Sequence, residues 1–254
     1  FVYLLPRLNR RTLLILPSRP VEMIFAAAIL RLARRTSVLL DIQDVWPDGL
    51  VIRDRFRHVL FAGYCHAHLY PSLRFIDKFI HVAPSFFNWL HRYAPKARSV
   101  FVPLGFDADR WQTVSPRSEP TSEPVEMVCV ALLQHLIDVM PILQAINGNE
   151  RFRLTLIGDD GQGERYPEVM EFIRVNGMKN VSLVGRLPRE AVVSHLQRMD
   201  IGVVPMISSS IPNKVFDYVA AGLPIIVLGE NDSADFVEGM GIGWRCAYNS
   251  DGLR

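Results

Sequence analysis

The chain holds 254 residues, 49% of them hydrophobic and 21% charged, which suffices for one large core or two smaller ones. No apolar run approaches the roughly 20 residues of a membrane span; Phe25–Leu32 is short and is followed by Arg34 and Arg35. Cys65, Cys129 and Cys246 show neither paired nor metal-ligand spacing, so they read as buried free thiols of a reducing cytoplasm.

The net charge of +2 hides an asymmetry. Residues 1–100 carry 15 Lys+Arg against 6 Asp+Glu, and the remainder 13 against 20. That points to two domains, the first facing something anionic. No recognised motif supports nucleic acid as the partner, and an anionic membrane surface or a phospholipid-linked acceptor fits better.

Apolar strand-like runs alternate with helical patterns throughout, as in parallel sheets joined by crossover helices. In the first half the pattern predicts strands over Leu13–Pro17, Ser37–Ile42, Lys78–Val82 and Ser99–Pro103, and helices over Pro20–Arg35, Arg55–Phe75 and Pro84–Tyr93. Thr113–Pro124 is rich in Pro, Ser and Thr and reads as an exposed linker. Beyond it the predicted strands are Glu126–Leu132, Arg153–Gly158, Val181–Gly185, Ile201–Pro205, Pro224–Leu228 and Gly243–Ala247. The predicted helices there are Ile137–Ile146, Tyr166–Asn176, Arg189–Met199 and Pro212–Ala221. The chain thus divides into a domain over 1–112, a linker over 113–124 and a domain over 125–254. Two doubly wound α/β domains are expected, with ligands at the carboxyl ends of the strands. Phe1 stands close to an apolar strand and Arg254 shortly follows another, so both ends read as cut and the first domain as incomplete at its N-terminus.

Three segments carry chemistry. Ile211–Leu228 reads as loop, helix, glycine stop and buried strand, with Pro212 in the first turn and Gly222 and Pro224 at the exit. Lys214 stands in that first turn, where free N–H groups and the helix dipole favour an anion. Asp217, three residues on, could accept hydrogen bonds from a ribose; the plainer reading is a solvated Lys214–Asp217 pair. Asp41, Gln43 and Asp44 close a buried strand, where two carboxylates could hold an acceptor hydroxyl or take its proton. Asp44 or Asp48 could equally cap the turn that follows. Arg53, Arg55, Arg57, His58, His66 and His68 alternate with Val59, Leu60, Phe61, Tyr64, Leu69 and Tyr70. That mixture suits either an interfacial helix or the solvated basic face of a packed one.

The Ile211–Leu228 wording resembles the P-S-K-x-x-E-Y-x-A-x-G-x-P-V-I signature of GT-B glycosyltransferases, family 4 in particular. The matching residues are Pro212, Lys214, Asp217, Tyr218, Ala220, Gly222, Pro224, Ile225 and Ile226. Leu39–Asp48 is similar to the D-x-R-D-L-W-P-E segment of bacterial enzymes that build surface polysaccharides, His81–Ser85 to their V-x-P-S turn and Val102–Trp111 to P-N-G-V-D-x-x-x-F. Leu156–Gly161 resembles L-x-I-x-G-D-G, and Val184–Pro188 followed by Asp200–Pro205 completes the order.

The resemblance implies two Rossmann-like GT-B domains and a glycosyltransferase of hexosyl or N-acetylhexosaminyl type. The donor would be a nucleotide-diphosphate sugar, the acceptor lipid-linked or a saccharide, and the anomeric configuration retained. It places the diphosphate at Lys214 with Pro212 and Asn213, the ribose on Asp217, and the nucleobase beside Arg186 and Leu187. Gly158 and Gly185 would bring backbone close to the donor, and Asp44 with Asp41 would serve the acceptor. No metal or other cofactor is expected, and the location is cytoplasmic, with peripheral contact at the inner face of the membrane. Departures from the pattern are Ser209 where the first acid of E-x7-E belongs, Gln43 near a histidine of many relatives, and no Arg or Lys after Val130. These leave two rivals: a non-catalytic nucleotide-sugar-binding or partner subunit, and a nucleotide-sugar 2-epimerase.

Overall fold

The computed structural model describes residues 5–50, 52–111 and 124–249. The chain divides into two compact units, Phe1–Pro103 and Leu104–Arg254. Of the predicted linker 113–124, all but Pro124 lies outside the described residues.

The first unit contains β1 (Leu13–Pro17), α1 (Val21–Arg34), β2 (Ser37–Ile42), α2 (Arg55–Ser72), β3 (Lys78–His81), α3 (Phe86–Tyr93) and β4 (Ser99–Phe101). Its four strands are parallel and lie in chain order, β1-β2-β3-β4. Because right-handed crossovers all run one way in such an order, the helices cover one face of the sheet. The alternation of burial shows which: Val38, Leu40 and Ile42 of β2 are fully buried and Leu16 and Phe79 nearly so. On the opposite face Leu13, Ile15 and Val100 stand 53–62% exposed. Helix α1 buries Val21, Ile24, Ala27, Ala28 and Leu30 along one stripe. At the start of α2 the Asp54 carboxylate accepts from the N–H of Arg57 at 2.7 Å, satisfying one free donor of the first turn.

The second unit contains β5 (Val125–Val130), α4 (Met140–Ile146), β6 (Phe152–Ile157), α5 (Tyr166–Val175), β7 (Val181–Gly185), α6 (Arg189–Leu196) and β8 (Ile201–Val204). It continues with α7 (Asn213–Ala220), β9 (Ile225–Leu228), α8 (Asp232–Gly239) and β10 (Gly243–Cys246). The strand order is β10-β9-β8-β5-β6-β7, all parallel. The chain winds outward from β5 to β7, returns to β8 beside β5, and winds the other way, the doubly wound order of dinucleotide-binding sheets. Both faces are covered, so Met127, Val128 and Cys129, consecutive on β5, are all buried. One core gathers Met127, Cys129, Ile142, Leu143, Leu154 and Leu156.

Two elements differ from the sequence reading. Helix α4 begins at Met140 rather than Ile137, because Ile137 is drawn into an extended bridge with Met206 and Asp138 N–H donates to Pro205 O at 2.9 Å. Helix α8 has no counterpart among the predicted elements. Asn231 caps it, its side-chain oxygen accepting from Ala234 N–H at 3.1 Å.

Candidate functional site

In an open parallel sheet the crevice forms where neighbouring strands send their chains to opposite faces, here between the carboxyl ends of β5 and β8. The loop after β5 and the loop after β8 line it and are stitched together, with Ile207 N–H donating to Leu136 O at 3.0 Å. Helix α7 starts at the end of the second loop. It stops at Gly222, whose φ of 72° favours glycine, with Leu223 N–H donating back to Tyr218 O at 2.9 Å.

Lys214 lies in the first turn of α7, and its Nζ is buried without a hydrogen-bond partner. Burial holds its pKa below the usual ammonium range, with the Cys129 thiol acting weakly in the other direction. A buried, unpartnered ammonium is costly unless an anion joins it. Asp217 does not pair with Lys214. Its Oδ1 accepts from Arg189 Nη2 at 2.8 Å, and burial raises its pKa, opposed by that guanidinium. Tyr218 is fully buried beneath the crevice; its hydroxyl accepts from Val130 N–H at 2.8 Å at the end of β5. The ring lies against Gly202 of β8, where an added Cβ would come within 2.4 Å of it. The tyrosine and that glycine together set the spacing of α7 over β5 and β8.

The remaining predicted donor residues line the ends of β6 and β7. Gly158 and Gly185 both have positive φ, 114° and 78°, and Gly158 N–H donates to Gly185 O at 2.8 Å. A Cβ on Gly158 would stand 3.1 Å from Ala131 O, so glycine there lets two loops meet. Arg186 donates to Gln162 Oε1 at 3.0 Å, tying the loops after β6 and β7. Pro212 and Asn213 open α7 beside Lys214, and Leu187 follows Arg186 before α6.

Sequence reasoning passed over Asp159, a nearly buried carboxylate straight after Gly158. It accepts four backbone N–H groups: Leu133 at 2.7 Å, Gly161 at 2.9 Å, Gln162 at 3.0 Å and Gly163 at 3.1 Å. Burial disfavours its charge, but the four donors together hold its pKa below the ordinary value. Gly163 is required at its position, since a Cβ there would lie 2.0 Å from the Asp159 carboxylate. The signal was an Asp directly after a strand-ending glycine. Arg189 was also passed over, and Ser209 has a structural part: its hydroxyl accepts from Asp232 N–H at 3.1 Å, anchoring the loop after β8 to α8.

In the first unit Asp41, Gln43 and Asp44 cluster at the carboxyl end of β2. Gln43 Nε2 donates to one Asp41 oxygen at 2.6 Å, while the other oxygen is buried without a partner. Asp44 pairs with Arg19 at 2.6 Å, and burial nevertheless raises its pKa. Asp48 is not a cap but pairs with Arg92 at 2.8 Å. His81 ends β3 and donates from Nδ1 to Ala83 O at 2.8 Å, with Ile42 and away from Asp41 in the alternation of the sheet. Among the described residues no group of three or more His, Cys, Asp or Glu could hold a metal ion, and no helix is long and apolar enough to cross a membrane.

Two Rossmann-like α/β units define the GT-B fold of glycosyltransferases, and the solved structures similar to this chain have it. Residues 130–249, within the second unit, match the family model described as glycosyl transferases group 1. Anabaena Alr3699/HepE in complex with UDP is similar with a TM-score of 0.74 and 12% identity, over 99% of this chain and 69% of that one. Sucrose-phosphate synthase (tll1590) from Thermosynechococcus elongatus has a TM-score of 0.75 and 15% identity, over 95% of this chain and 62% of that one. The E. coli structure described as trehalose-6-phosphate bound with UDP-2-fluoro glucose has a TM-score of 0.66 and 12% identity, over 91% and 62% of the two chains. The chain therefore spans 62–69% of the length of these structures. No curated protein matches its sequence.

Proposed function

We propose that this chain binds a nucleotide-diphosphate sugar and takes part in transferring the sugar to a lipid-linked or saccharide acceptor, with retention, in polysaccharide or glycoconjugate biosynthesis. The observation that carries the reading is the buried, unpartnered Nζ of Lys214 at the switch point between β5 and β8. As the bond from sugar to diphosphate breaks, negative charge grows on the leaving oxygens, and an ammonium held out of water stabilises it. The first turn of α7, with Pro212 and Asn213, adds its free N–H groups, so the reading assigns this neutralisation to the protein without a metal ion. Asp217 and Arg186–Leu187 would hold ribose and base. Asp44, with a raised pKa, would take the acceptor proton, supported by Asp41. That similar structures are complexed with UDP and UDP-glucose supports the donor class. Exposed Phe56, Val59 and Leu60 beside the basic residues of α2 support peripheral contact with an anionic membrane at its cytoplasmic face.

Isothermal calorimetry with UDP, ADP and GDP tests the reading: Lys214→Ala should weaken binding about a hundredfold, and unchanged affinity would sink it. A second reading, a partner subunit that binds the nucleotide without turnover, is favoured by the Asp217 carboxylate being held by Arg189 and by the lack of Lys or Arg over 130–138. Binding without transfer across a nucleotide-sugar panel with membrane extract would establish it.

A further inference from the structure

A cavity of about 930 Å³ opens within the first unit at the amino-terminal ends of β3 and β4, the opposite end of the sheet from Asp41 and Asp44. Its floor is apolar, built from the buried side chains of Leu73, Ile76, Phe79 and Tyr93. Its rim carries Arg74, Lys78, Lys96 and Arg98, none of which forms an ion pair among the described residues. The other charges there are already matched: Asp77 is held by Arg31 at 2.8 Å and Arg92 by Asp48 at 2.8 Å. The hydroxyl of Ser99, also in the lining, is buried without a hydrogen-bond partner.

Four uncompensated cations repel one another and lower their mutual cost by gathering an anion. A buried hydroxyl with no partner wants an acceptor or donor at that point. An apolar floor beneath rewards a ligand that brings hydrocarbon with its charge.

We propose that this cavity is a second binding site, for a phosphate ester carrying an apolar group. The phosphate would meet the cations and the Ser99 hydroxyl while the apolar part lies against Tyr70, Phe79 and Tyr93. The volume accommodates a ligand of small-molecule size. Lipid headgroups and soluble alkyl or aryl phosphates share this chemistry. The site lies wholly in the first unit and does not rest on the donor reading.

The test measures binding of hexyl phosphate and of inorganic phosphate by calorimetry with the full chain. Hexyl phosphate should bind at least about tenfold more tightly than inorganic phosphate, since apolar burial adds to the charge term. Lys96→Glu/Arg98→Glu, at two exposed positions, should weaken hexyl phosphate about tenfold or more, and an unchanged urea denaturation midpoint reports that the variant is folded. Tyr70→Ala, at a lining ring that is half exposed, should reduce the preference for the hexyl chain several-fold without changing inorganic phosphate. Vesicles of phosphatidylcholine with and without phosphatidic acid separate the sources. Binding to the acidic vesicles that the double variant loses assigns a lipid headgroup; hexyl phosphate binding without such vesicle binding assigns a soluble ester. Equal affinity for the two phosphates, or hexyl phosphate binding that the double variant retains, overturns the proposal.

Discussion

The two units are written in the same alternation of strand and helix, yet they make different surfaces. In the first, β1 to β4 follow one another across the sheet, so every crossover lands on one face and the other is left bare at Leu13, Ile15 and Val100. In the second, the return from β7 to β8 reverses the winding, covers both faces, and opens a crevice between β5 and β8. Hydrophobic periodicity specifies which residues face a sheet. The order in which strands assemble decides whether a ligand crevice appears.

The largest effect expected from this contrast is on stability. Leu40→Ala, on the covered face of the first sheet, should cost about 3 kcal/mol in urea denaturation, whereas Ile15→Thr on the bare face should cost about 0.5 kcal/mol or less. A large loss for Ile15→Thr would show that face to be covered in solution. Next comes Lys214→Met, which should weaken nucleotide-diphosphate binding about a hundredfold, on the order of 2.7 kcal/mol. It should leave the thermal midpoint unchanged or raised, because it removes a buried, unpartnered charge. Tyr218→Phe leaves the half-buried N–H of Val130 without its acceptor and should cost about 1 kcal/mol of stability. The smallest effect is on pH dependence. Burial lowers the pKa of Lys214 in the free protein, and a diphosphate binds its protonated form. Affinity should therefore fall as pH rises through that lowered pKa, beginning below the ordinary lysine value of roughly 10.4, with proton uptake on binding visible as buffer-dependent calorimetric enthalpy.

Much of this contrast was legible in the sequence, residue by residue. Leu13–Pro17, Ser37–Ile42 and Val181–Gly185 are strands with the predicted bounds, because short β-branched or leucine-rich runs flanked by turn residues leave little choice. Helix α8 was missed although Asn231 and two acids in its first turn are an N-terminal signal, since the segment is short and weakly amphipathic. Lys214 and Asp217 could be placed on one helix from spacing alone. That Asp217 turns to Arg189 could not, because the meeting of α6 and α7 is a product of the sheet order. Asp159 was hidden for a related reason: its four donors come from two loops, and one of them, at Leu133, lies 26 residues away in the chain.

That carboxylate has a consequence for the cost of binding. A loop that must become ordered around a ligand loses conformational entropy at that moment, and the loss is subtracted from affinity. Here the turns after β5 and β6 are ordered in advance by one side chain, which holds Leu133 and Gly161–Gly163 from a single point. Their amides should exchange with solvent at the slow rate of the core strands rather than at the rate of surface loops. A ligand arriving at that rim meets a surface whose ordering cost was met during folding.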